Sequence, residues 1–95
     1  MPAYIIARVD VTDPEKYKGY TALTPGAIAA HGGRFVVRGG ELTTLEGADE
    51  TRRVVVIEFP DVATAKTFWN SPEYGEAKAK RANAADMQAF IVDGA

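Results

Sequence analysis

Apolar residues recur along this chain in two rhythms, alternating in short runs and spaced by three or four in longer ones. The densest run is Arg52 to Pro60, in which Val54, Val55, Val56, Ile57 and Phe59 are β-branched or aromatic and only Glu58 interrupts. It is apolar at both parities, which predicts a central strand covered on both faces. Tyr4–Val9, Arg34–Arg38 and Met87–Val92 predict three further strands. Gly39-Gly40 reads as a bulge or bend, after which Glu41–Glu46 is expected to continue the second strand. Gly47-Ala48-Asp49-Glu50 then reads as the hairpin turn into the central strand.

Helical spacing appears twice. Tyr17, Tyr20, Leu23, Ala27 and Ile28 mark a first helix, with Thr12 as the expected cap, Glu15 closing the capping box and Pro14 in the first turn. Pro25-Gly26 is expected to kink or interrupt it, and Gly32-Gly33 to end it just after His31. Asp61 caps a second helix with Val62, Ala65, Phe68 and Trp69 on its apolar side. Ser71-Pro72 restarts a helix that carries Tyr74, Ala77 and Arg81. The order βαββαβ, closed by right-handed crossovers, predicts an α+β ferredoxin-like fold. Its four-stranded sheet would be antiparallel, in the order fourth, first, third, second.

Side-chain alternation divides that sheet into two faces. Ile5, Ala7, Val9, Phe35, Val37, Val55, Ile57, Phe59, Met87, Ala89 and Ile91 form a wholly apolar set, assigned to the helix-covered core. The opposite set mixes Ile6, Val36, Val54, Val56, Phe90 and Val92 with Tyr4, Arg8, Arg34, Arg38, Glu58 and Gln88. A face left to solvent would not hold so many apolar side chains, so a second copy is expected to pack on it in a two-fold homodimer. Within this set, Arg8, Arg38 and Gln88 should gather at one edge, and Tyr4, Arg34 and Glu58 at the other.

Composition changes this picture in few places. A chain of 95 residues makes one domain, residues 1–95. A domain of that size buries only about 60–65% of its unfolded surface, so dimerisation would help it. The net charge of −2 speaks against a nucleic-acid surface, which needs a concentrated positive field. With no cysteine there is neither disulfide nor thiolate chemistry. No run reaches about 18 apolar residues, and the N-terminus lacks a basic segment leading into an apolar one, so no membrane span is expected and cytoplasmic residence is the default.

His31-Gly32-Gly33-Arg34, Arg38-Gly39-Gly40, Val56-Ile57-Glu58-Phe59-Pro60, Ser71-Pro72-Glu73-Tyr74 and the opening Val9-Asp10-Val11-Thr12-Asp13-Pro14 follow one another at characteristic spacing. Together they resemble the family called domain of unknown function 1330, within the dimeric α/β-barrel superfamily, over essentially the whole chain. The resemblance implies a ferredoxin-like protomer in a barrel-forming dimer. It implies no activity, because that family is uncharacterised. Neighbouring families hold cofactor-independent monooxygenases, muconolactone isomerases and haem-dependent peroxidases, but kinship of fold does not carry chemistry.

The candidate chemistry is sparse. One histidine and no cysteine supply no metal site, and no cofactor is called for. His31 is a weak catalytic candidate, against the plainer reading that it closes a helix and favours its dipole. Ser71, the single serine, is already explained as a helix cap. Glu58 is the candidate base, because a carboxylate ending an apolar strand should be desolvated and its pKa raised. The competing reading is an ion pair with Arg34, Arg53 or a partner-chain arginine. Arg38 and Arg34 could hold an anionic ligand, and Trp69, Tyr74 and Arg81 could line a pocket for a planar one. The expected site, walled by sheet and helices, would take a small organic acid or planar ligand. It would serve either cofactor-independent proton transfer or oxygenation, or ligand binding without catalysis. The alternative is a purely structural dimer whose polar residues are interface salt bridges.

Overall fold

A computed structural model describes all residues, Met1–Ala95. The elements run β1 (Ala3–Val11), α1 (Pro14–Ala30), β2 (Arg34–Arg38), β3 (Arg53–Phe59), α2 (Val62–Trp69), α3 (Pro72–Lys80) and β4 (Ala85–Asp93). The sheet has the order β2-β3-β1-β4, and every neighbouring pair is antiparallel. This is the ferredoxin-like architecture, with the helices on one face.

Local chemistry explains where elements start. Asp13, not Thr12, caps α1: its carboxylate accepts the Lys16 N–H at 3.1 Å. The Thr12 N–H is already committed to the Ala84 carbonyl, and Glu15 pairs with Lys18 instead of closing a capping box. Asp61 and Ser71 cap α2 and α3, as their spacing suggests. Pro25 does not interrupt α1, which runs through it to Ala30. Proline removes one intrahelical bond, and the buried residues on either side, Thr24, Ala27 and Ile28, hold the last turn in place. Gly33 follows, where a Cβ would lie 2.5 Å from the Phe59 ring, so only glycine lets the chain pass so close to the core.

The core lies between sheet and helices. Ile5, Val9, Phe59, Phe68 and Tyr74 are its largest enclosed side chains. Phe68 is the hub of an aromatic cluster, with ring centroids of Phe59 and Tyr74 at 5.0 and 4.8 Å.

Two expectations fail on the second strand. The register slips between Phe35 and Val37, so the bulge is at Val36, while Gly39 makes the bend expected at Gly39-Gly40. Val37 then pairs with Val56 and Arg38 with Val55, which exchanges their faces: Val37 joins the open face and Arg38 turns toward the helices. Glu41–Glu46 forms no strand either; residues 39–52 are a loop. Gly39, at φ +67°, turns the chain out of the ladder, and Glu50 anchors the far end by accepting from Arg8 at 2.6 Å.

Candidate functional site

The helix-covered side of β3 begins with a charge. Arg53 pairs with Val9 and shares the parity of Val55, Ile57 and Phe59, so its side chain starts from the core-facing row. Arg38, turned by the slip at Val36, is displayed one strand away on the same face. Between them and α1 lies an enclosed cavity of about 40 Å³, lined by 17 residues of which none is acidic. Tyr17, Tyr20 and Thr24 reach it from α1, Phe68 and Trp69 from α2, and Tyr74 from α3.

No carboxylate answers the arginines. The ion pairs of the chain are Arg8–Glu50, Lys18–Glu15, His31–Glu73, Arg34–Glu58 and Arg52–Asp10, and they leave out Arg38, Arg53 and Arg81. The Arg53 Nε is buried without a hydrogen-bond partner, as is the Arg81 Nε. Arg53 packs on Gly39, where any Cβ would run into its guanidinium. The Arg38 guanidinium lies 4.3 Å from the centroid of the Phe35 ring, a cation–π contact that holds it at the mouth.

Tyrosines form the opposite wall. Tyr20 and Tyr74 share a hydrogen bond of 3.0 Å between their hydroxyls, joining α1 to α3. Burial, then the neighbouring Tyr74, pushes the Tyr20 pKa far up, so it stays a neutral hydroxyl. Burial also raises Tyr17, against the opposing pull of the Arg53 and Arg81 charges. Arg81 caps the end of α3 with its guanidinium 5.4 Å from the Tyr20 ring centroid; it stands behind this wall and does not line the cavity.

The remaining candidates lie elsewhere. Glu58 is on the open face in one row with Tyr4 and Arg34. It accepts from Arg34 Nε at 2.7 Å and from the Tyr4 hydroxyl at 3.2 Å. The Arg34 hydrogen bond outweighs desolvation, with the Tyr4 hydroxyl adding to it, and lowers the carboxyl below its ordinary value of 4.5. This reverses the expected rise: the strand end is open enough for a cation to reach the carboxylate. His31 is the C-cap of α1, bonds Glu73 at 3.0 Å, and meets Phe68 edge-on at 6.0 Å. It is absent from the cavity wall. No group of three or more His, Asp or Glu side chains is placed to hold a metal ion. No helix is long and apolar enough to cross a membrane.

The lowered Glu58 pKa has a sign that can be checked. Its ion pair contributes stability fully above about pH 4.5, the ordinary value, and loses it as the pH falls through the depressed folded value. Melting curves of the native protein and Glu58→Gln should therefore differ at neutral pH and converge in acid. A difference that grew in acid would contradict the pairing.

Of the residues expected at one site, Arg38, Trp69 and Tyr74 line this cavity, Glu58, Arg34, Arg81 and His31 do not, and Arg53, Tyr17 and Tyr20 join it without having been singled out for it. The signal for Arg53 was its parity with Ile57 and Phe59; the two tyrosines were visible only as apolar helix positions.

Similar folds occur among solved structures. A protein of unknown function from Rhodopseudomonas palustris is 24% identical, with 99% of this chain and 82% of that chain covered and a TM-score of 0.75. A dimeric ferredoxin-like protein of unknown function from Jannaschia sp. CCS1 is 11% identical over 99% of this chain and all of its own, with a TM-score of 0.72. SnoaB, a cofactor-independent oxygenase from Streptomyces nogalater, is 17% identical over 99% of this chain and 93% of its own, with a TM-score of 0.67. At these identities the likeness is one of fold. No curated protein sequence matches the chain. The family described as "Domain of unknown function (DUF1330)" matches residues 2–95, and the chain belongs to it.

Proposed function

We propose that this protein binds a small organic acid in the cavity between sheet and helices, as a homodimer joined through its open sheet faces. The observation that carries the ligand class is a pair of guanidiniums, Arg38 and Arg53, at a cavity whose wall has no acidic residue. An unpaired cation in apolar surroundings is costly, and a carboxylate would satisfy it with charge-assisted hydrogen bonds. Phe35, Tyr17, Tyr20 and Trp69 would surround the carboxylate head. Titration calorimetry with acetate and butyrate should show saturable binding that weakens with salt. Absence of heat with any simple carboxylate would sink the reading.

Support for the dimer comes from the open face, where Val36, Val37, Phe90 and Val92 are each 38–47% exposed around the half-buried Ile6, Val54 and Val56. Solved proteins of this fold from Jannaschia and Thermobifida are described as dimeric. Light scattering should give the mass of two chains. Phe90→Asp, which puts a charge on an already exposed position, should give one. A wild-type monomer at micromolar concentration would refute the dimer.

Catalysis by Glu58 has no support in this geometry, because its carboxylate is paired on the opposite face of the sheet from the cavity. The enzymatic variant of the proposal is oxygenation of the bound acid without a cofactor; the Streptomyces nogalater protein is described as a cofactor-independent oxygenase. Oxygen uptake that depends on Arg53 would distinguish it from binding alone.

A further inference from the structure

A second recess adjoins the cavity. It has about 250 Å³ of space between the end of α2 and the edge strand β4, and only Ile5, Trp69, Ala89, Phe90 and Ile91 line it. Ile5 and Trp69 belong to both walls. Trp69 is the last residue of α2, half-buried, with its ring centroid 4.7 Å from that of Tyr74. A side chain at a helix end, exposed on one side, has rotamers to move into.

The two spaces differ in chemistry as the ends of an amphipathic molecule do. The inner one, at roughly 10–15 Å³ per water, holds about three water-sized groups, the bulk of one carboxylate. It carries both arginines. The outer one is several times larger and has no polar side chain. An acid held by Arg38 and Arg53 has no room for a long body beside them, and the nearest space is past Trp69.

We infer that the two recesses are one binding site for a medium-chain aliphatic carboxylic acid, with the head at Arg38 and Arg53 and the chain passing Trp69 to lie on Ala89 and Ile91. Trp69 is the partition that turns aside to join them. This rests on the reading of the inner cavity as a carboxylate site.

Calorimetry across acetate, butyrate, hexanoate and octanoate tests it. Each buried methylene is worth about fourfold in affinity, so octanoate should bind on the order of a hundredfold more tightly than butyrate. Octylammonium, which has the same chain and the opposite charge, should not compete. Trp69 is the chain's single tryptophan, so its emission should shift with octanoate and not with acetate. Ala89→Phe, which fills the outer recess, should remove the advantage of octanoate over butyrate. Affinity independent of chain length in the native protein, or octylammonium binding as well as octanoate, would overturn the inference while Arg53-dependent binding of short acids left the carboxylate site standing. If no acid of any length binds, both fall together.

Discussion

Arg53→Met should weaken organic-acid binding by about ten- to hundredfold and leave the unliganded fold as stable as before or more so. The two effects have one cause. Arg53 rises from the core-facing row of β3, its Nε is buried without a partner, and no acidic residue pairs with it. Hydrogen bonds to a charged group contribute about 1.5–3 kcal/mol, so losing those to a bound carboxylate should weaken affinity by about ten- to hundredfold. In the empty protein the same donor carries an unmet desolvation cost, and methionine fills similar volume without one. The urea midpoint of the unliganded variant should rise by the equivalent of about 1 kcal/mol, while calorimetry shows the loss of affinity. Arg38→Met should lose affinity without gaining stability, because Arg38 is exposed and rests on the Phe35 ring. If Arg53→Met bound acids like the native protein, the cavity would not be the site.

Phe68→Ala should be the most destabilising single truncation. Its side chain is fully enclosed, and the rings of Phe59, Tyr74 and His31 lie 5.0, 4.8 and 6.0 Å from it. Phe68 and Ala65 are the buried residues by which the eight-residue α2 docks on the sheet. Removing a buried phenylalanine costs about 3–5 kcal/mol, a large share of the 5–15 kcal/mol typical of a whole domain. Chemical denaturation should show a midpoint well below the native one, with much of the chain unfolding on mild heating. A loss under about 1 kcal/mol would mean that the aromatic cluster repacks freely around the void.

The strand order followed from the βαββαβ succession with right-handed crossovers, and the core face of the three strands other than β2 from alternation, because Ile5, Val9, Ile57 and Phe59 repeat at period two. The caps at Asp61 and Ser71 were legible for the same local reason. What escaped was set by tertiary competition. The cap of α1 falls on Asp13 because its carboxylate reaches the Lys16 N–H, while the Thr12 and Asp13 N–H groups both bond the carbonyl of Ala84, remote in the chain but adjacent in space. Glu58 looked desolvated from its apolar neighbours, yet Arg34 lies directly across the ladder from it. Arg38 was assigned to the open face because period two was counted through Val36 without a slip. Hydropathy has no mark for a single unpaired residue in a run where every neighbour is apolar.

That slip at Val36 also bears on how such a chain could change over time. Substitutions at Arg38 alter one contact, but the loss of one paired residue from this edge strand, with the bulge at Val36 retained, moves every side chain beyond it to the other side of the sheet. Deleting the unpaired Val36 would only close the bulge and leave Arg38 opposite Val55, whereas deleting Val37 with the bulge kept would set Arg38 opposite Val56, out of the cavity and on the apolar outer face. Descent by length variation could therefore erase a ligand's charge complement and unsettle a subunit contact in one event, with nearly every residue type retained. Kin that differ by one residue in this strand are expected to differ in what they hold, and closeness of sequence between them would be a poor guide to shared chemistry.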